Sequence, residues 1–196
     1  MASRNSFEKH TFFSPANGAD DREAYQKNWV AVYTRPRSEK KAAEELNKAG
    51  IEVYLPIQKQ IRQWSDRKKS VVVVVIPLIV FAYLSINELL TLKKHPLVQK
   101  ILSRPGEKDA AVIPMDEIDK LKFILGQSDS PVSFDAGVFS VKNTVRVIRG
   151  PLMGLHGTVM EYADGSSELV VSIDFLGGAR LKIQKSDLEL LKYHLR

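Results

Sequence analysis

No cysteine occurs in the 196 residues, which excludes disulfides, a thiol nucleophile and a thiolate metal site and fits a reducing compartment. The four histidines, His10, His95, His156 and His194, stand far apart in dissimilar settings. There is no H-E-x-x-H pair, no nucleophile elbow and no G-x-x-x-x-G-K-S/T loop, so neither a metal nor any other cofactor is expected, and no enzymatic turnover. The one enzymatic alternative rests on carboxylates around Asp164 and Asp174, for which no substrate presents itself. Long apolar runs are also missing: the longest, Val71 to Leu84, has 14 residues, short of the roughly 20 that a membrane-spanning helix needs. MASRNSFEKH carries charge but no apolar stretch follows it, so the expectation is no secretory signal, no membrane association and a cytoplasmic protein.

What is present is ordinary for a globular chain, with 44% apolar and 27% charged residues, enough to build one domain or two small ones. A net charge of +6 and a pI near 9.4 tilt towards a polyanionic partner, although lysines scattered over a solvated surface give the same total. The apolar run VVVVVIPLIVFAYL organises the rest. Its valines favour β-structure, and Pro77, which cannot donate to a ladder, divides it into strands over Val71 to Val75 and Leu78 to Leu84. The whole run is expected to be buried, the second strand on both faces, one covered by helices and the other by a partner.

Residues 1–27 lack a periodic apolar pattern and read as a flexible tail with Phe12 and Phe13 as local anchors. A strand is expected over Trp29 to Tyr33. A helix follows over Glu39 to Ala49, with Ser38 as N-cap, Ala42, Ala43, Leu46 and Ala49 on one face and Gly50 closing it. Ile51 to Leu55 reads as a second strand stopped by Pro56, which Ile57 to Trp64 extends or continues towards a hairpin at Ser65 to Lys69. Ile86 to Leu92 predicts a short helix, Pro96 to Leu102 a helical turn or edge strand, and Pro114 opens a helix to about Leu125. These elements make residues 28–125 an α+β sandwich with a mostly antiparallel sheet. Residues 126–137, rich in Gly, Ser, Asp and Pro, read as a linker. Residues 138–196 then hold short alternating strands over Val138 to Val141, Thr144 to Ile148, Gly157 to Tyr162, Leu169 to Phe175 and Arg180 to Ile183, a small β-barrel.

Val145 to Val159, VRVIRGPLMGLHGTV, resembles a KOW motif: an apolar strand, a turn with Gly150, Pro151 and Gly154, then Gly157 on the second strand. Glycine there allows positive φ and close approach of two strands. The upstream module resembles the N-terminal domain of the NusG family, through W-V-A-V-Y at Trp29 to Tyr33, the helix from Glu39, E-V-Y-L-P at Glu52 to Pro56 and P-L-I-V-F at Pro77 to Phe81. The leader and spacing resemble the specialised RfaH-like and UpxY capsular polysaccharide antiterminators of that family. One departure stands out: Leu78 and Ile79 occupy positions where the family often has Gly-Tyr or Asn-Tyr.

The resemblance implies a monomeric elongation and antitermination factor that suppresses pausing or termination at particular operons, such as capsular polysaccharide loci. Its first domain would receive the clamp helices of RNA polymerase on Tyr33, Tyr54, Ile79 and Phe81. Without the resemblance the same four residues are ordinary core. Arg35, Arg37, Lys40 and Lys41 at the helix start, with Arg62, Trp64, Arg67, Lys68 and Lys69 on the hairpin, would face non-template DNA or nascent RNA; the bland alternative is a solvated charged face. The barrel would take a ribosomal protein or termination factor. Refolding of the barrel into helices is not expected, because Val170, Val171 and Ile173 are β-branched. A ribosome-associated KOW protein that binds RNA is the alternative function.

Overall fold

Pro77 and Leu78 send the two halves of the apolar run into different sheets. The computed structural model describes residues 26–64, 67–104, 106–135, 144–161, 167–173 and 177–191. The expected tail up to residue 25, the hairpin tip at Ser65 and Asp66, the strand over Val138 to Val141, and Asp164 and Asp174 lie outside the described residues.

By its internal contacts the chain divides into two compact units, one of residues 1–55 and 77–115, the other of residues 56–76 and 116–196. In the first, β1 (Asn28–Thr34) is central: β5 (Ile79–Leu84) pairs along one side of it, and β6 (Val98–Ile101) and the short β7 (Val112–Ile113) pair with the other. β2 (Glu52–Tyr54) extends the sheet beyond β5, and every pairing is antiparallel. The residue spans 96–102 and 110–113 therefore supply edge strands, the second of which had no visible pattern in the sequence.

α1 (Glu39–Lys48) and α2 (Ile86–Leu92) cover one face of this sheet, where Leu46, Leu89 and Leu92 pack with Val30, Val32, Ala82 and Leu84. α1 ends in a Schellman motif: Gly50, at φ +83°, donates to Asn47 O, and Ile51 N–H reaches Leu46 O at 3.1 Å. Its start differs from expectation. Ser38 makes no side-chain cap bond, and the buried Glu39 carboxylate instead accepts the Leu78 N–H at 2.9 Å. α2 also carries a capping box, with Glu88 N–H donating to the Ser85 hydroxyl and Ser85 N–H donating to the Glu88 carboxylate.

In the second unit, β3 (Ile57–Gln63) and β4 (Lys68–Val74) form a two-stranded ribbon. Here the expectation of a wholly buried apolar run fails. β5 is buried on both faces, but Val72 is 42% exposed and Val71, Val73 and Val74 are only half-buried, since a two-stranded ribbon has no flanking strands to extend its cover. α3 (Met115–Gln127), which belongs to this unit from Asp116 on, buries Ile118, Leu121, Ile124 and Leu125 and begins one residue after Pro114. Residues 126–135, read as linker, hold the end of α3, a strap at 128–132 and β8 (Ser133–Asp135).

β8 joins β9 (Thr144–Val147), β10 (His156–Glu161), β11 (Ser167–Ile173), β12 (Gly177–Lys182) and β13 (Leu188–Leu190) in an antiparallel sheet ordered β13-β9-β10-β11-β12-β8. The ladder of described residues runs from β13 to β8, with no closing pair between them. β11 is a strand through Val170 and Val171, as their β-branching predicts.

Candidate functional site: an aromatic sheet face and two basic clusters

Alternate residues of a strand share a face, and residues opposite each other in an antiparallel ladder share it too. The register sets Tyr33 opposite Ile79, Ala31 opposite Phe81, and Tyr54 opposite Phe81 on the other side. All four residues expected to bind a partner helix thus lie on one face of the first sheet, the face opposite the α1 and α2 core. The same register adds Trp29 and Tyr83, a directly opposed pair with ring centroids 5.3 Å apart, and Lys100, whose ammonium lies 5.4 Å from the Tyr33 ring centroid.

Exposure divides this face. Phe81 is fully buried at 0% and Ile79 is 7% exposed, so neither is a surface anchor in the chain as it stands; with Trp29 they form the floor. Tyr33, Tyr54 and Tyr83 are half-buried and form the accessible rim. Tyr54 stacks on Phe81 with centroids 6.1 Å apart, and burial pushes its phenol pKa up to about 12, so it remains a neutral O–H throughout the physiological range. Trp29 Nε1 meets Met115 Sδ at 3.2 Å. Trp29, Tyr83 and Lys100 were missing from the sequence-derived set, although the period-two pattern Trp29, Ala31, Tyr33 and Ile79, Phe81, Tyr83 carries the signal.

The first basic cluster sits on the β1–α1 connection. Arg35, Pro36, Arg37 and Ser38 form a turn closed by Ser38 N–H to Arg35 O at 3.1 Å, with proline at its second position and Arg37 at φ +60° at its third. That is type II geometry, in which the third position usually holds glycine or asparagine. Arg35, Arg37, Lys40 and Lys41 are all exposed, and Lys41 approaches Glu45 at 3.7 Å. A second such turn lies at Pro77 and Leu78, where Leu78 has φ +69°. Its N–H is taken by Glu39, and its carbonyl accepts from Thr34 N–H at 2.8 Å and Thr34 Oγ1 at 3.3 Å. The family departure at Leu78 therefore falls on a backbone position that suits glycine.

The second cluster belongs to the ribbon, in the other unit. Arg62 lies opposite Lys69 and Gln63 opposite Lys68. Trp64 N–H donates to Arg67 O at 2.9 Å, and its indole is 57% exposed. An exposed aromatic ring among cations matches the chemistry of single-strand binding, in which bases stack and phosphates are neutralised. In the C-terminal sheet, Gly150 and Gly154 take φ of +82° and +92° in the β9–β10 turn beside Pro151. Gly157 serves differently: a Cβ there would stand 2.6 Å from Val170 O, so β10 and β11 approach too closely for any side chain. Among the described residues, no group of three or more His, Asp and Glu side chains is placed to hold a metal ion.

Residues 27–122 match the family model described as "Transcription termination factor nusG". Among solved structures, the chain is similar to "Domain interaction in Thermotoga maritima NusG", with 22% identity, coverage of 85% of this chain and 98% of that chain, and a TM-score of 0.49. It is similar also to the MjSpt4:Spt5 complex in conformations A and B, with 16% identity, coverage of 85% and 86% of this chain and 99% of that chain, and TM-scores of 0.26 and 0.25. No curated protein matches the chain.

Proposed function

From the match of residues 27–122 to the NusG family model, we propose that the chain is a transcription elongation and antitermination factor of that family that binds RNA polymerase and suppresses pausing or termination. The observation that carries this reading is the face uniting Tyr33, Tyr54, Ile79 and Phe81 in one register. An aromatic floor with a tyrosine rim suits the apolar side of a helix, and the clamp helices of the polymerase are its occupant. The factor acts by binding without turnover: it favours the closed, processive clamp by as much as its affinities for the two clamp states differ. The exposed Arg35, Arg37, Lys40 and Lys41, and the ribbon end with Arg62, Trp64, Arg67, Lys68 and Lys69, contact the displaced DNA strand or the nascent RNA. Sequence preference in that contact confines action to particular operons, as in the RfaH-like and UpxY members. The β9–β10 turn, where Met153 is 66% exposed, offers the C-terminal sheet a contact for a ribosomal protein or termination factor.

The test is retention of the full chain on purified core RNA polymerase, with nuclease present at moderate salt. The unaltered chain is expected to be retained, and the Tyr33→Ala, Tyr54→Ala double variant to lose at least tenfold in affinity while keeping its circular dichroism. A folded chain that is not retained overturns polymerase docking. Full retention of the double variant overturns the assignment of this face.

A further inference from the structure

Among the described residues, Gln58 is the one buried polar residue of the ribbon, 5% exposed on β3, and its amide uses all four of its hydrogen-bonding positions. Nε2 donates to Ser128 O at 3.2 Å and to Ser130 O at 2.9 Å, while Oε1 accepts from Val132 N–H at 3.0 Å and from Gln60 Nε2 at 3.4 Å. One side chain therefore engages three backbone groups of the strap at 128–132. Ser128 Oγ, which donates to Ser130 O at 2.9 Å, tightens the strap on itself. One residue beyond Val132, β8 begins and pairs with β12 of the C-terminal sheet.

Open clefts flank the strap on both sides, and Val132 is the buried apolar residue of the strap. A cleft of about 440 Å³, lined by Lys59, Ile61, Ser70, Asp129 and Pro131, opens between ribbon and strap. Another of about 430 Å³ lies between the strap and the β9–β10 turn, at Arg149 and Leu152. Ribbon, strap and C-terminal sheet also belong to the same compact unit. We propose that Gln58 is a positioning residue that latches the strap to the β3–β4 ribbon, so that ribbon and C-terminal sheet move as one body until the latch opens.

Amide hydrogen exchange and ¹⁵N relaxation on the full chain test this. In the unaltered protein, the Val132 amide is expected to be protected, and β3–β4 amides to share one rotational correlation time with β9–β12. Gln58→Glu keeps the shape and the acceptor but removes both donors. It is expected to speed Val132 exchange by about tenfold or more and to shorten the correlation time of β9–β12 relative to β3–β4, with β1 and β5 amides unchanged. An unprotected Val132 amide or separate tumbling in the unaltered chain overturns the proposal, a result that needs no variant to fold. Unchanged exchange and tumbling in a folded Gln58→Glu overturn it equally.

Discussion

Replacing Leu78 by alanine and by glycine isolates the strain of its turn, because both substitutions remove the same side chain beyond Cβ. At ordinary negative φ, alanine is the better residue by about 0.5–1 kcal/mol, since glycine loses more backbone entropy on folding. Leu78 has φ +69°, where any residue with a Cβ costs roughly 1–2 kcal/mol. Alanine keeps that cost and glycine sheds it, so subtracting glycine's entropy leaves Leu78→Gly more stable than Leu78→Ala by about 0.75 kcal/mol at mid-range, within about 0–1.5 kcal/mol at the extremes. The sign is reversed from the usual order, and the loss of leucine burial cancels from the comparison. Lys40, exposed on α1, is the control: there Lys40→Ala should exceed Lys40→Gly by about 1 kcal/mol. Urea unfolding followed by Trp29 fluorescence in a Trp64→Phe background reports on the first unit, since Trp29 is 2% exposed in the sheet beside β5. An alanine variant at residue 78 as stable as the glycine variant refutes the claim that Glu39 and Thr34 hold a strained turn. Arg37, at φ +60°, should behave in the same way.

Gly157→Ala should destabilise the C-terminal sheet by about 1–3 kcal/mol, because its Cβ meets the backbone at Val170 O and β11 must shift; unchanged Val170 amide exchange would contradict this. The Glu88 carboxyl is held below its ordinary value of 4.5: burial pushes it upward, but the Ser85 N–H, the Lys27 ammonium and the Ser85 hydroxyl together outweigh that push. A depressed folded value means that its contribution is complete above the unfolded value and is lost as pH falls through the folded one. The melting gap between the unaltered chain and Glu88→Gln should therefore be widest near neutrality and shrink below pH 4.5, and a gap independent of pH would dispose of the argument. Reversing Arg35 and Arg37 to glutamate should weaken single-stranded DNA binding and flatten its log–log salt dependence by about 1.4, roughly 0.7 for each phosphate no longer neutralised; an unchanged slope would remove these residues from the interface.

Helices and strands were legible wherever local chemistry determines them. The alanine and leucine spacing of α1 and the glycine at its end act within a few residues, and a period-two aromatic pattern marks β1 and β5. What lay beyond reach were the partners that residues acquire from distant segments. Ser38 has the composition of an N-cap, yet the bond that fixes the start of α1 joins Glu39 to Leu78, 39 residues away. Gln58, in a run of glutamines and lysines that reads as a solvated strand, is buried because the segment 70 to 74 residues further on returns to it. β7 is too short to carry a pattern and exists only because β1 offers it a ladder.

The valine run shows the same limit from the apolar side. Five consecutive valines establish β-structure, but burial depends on how many strands and layers surround them, and Pro77 assigns β4 to a ribbon and β5 to a sheet centre. Along the ribbon, Ile57, Lys59, Ile61, Val72 and Val74 share a face, on which Ile61 is 76% exposed. A strand that looks like core in one dimension thus becomes surface when its neighbours are few. For this chain, hydropathy identifies which residues pair, and topology decides which of them remain available to a partner.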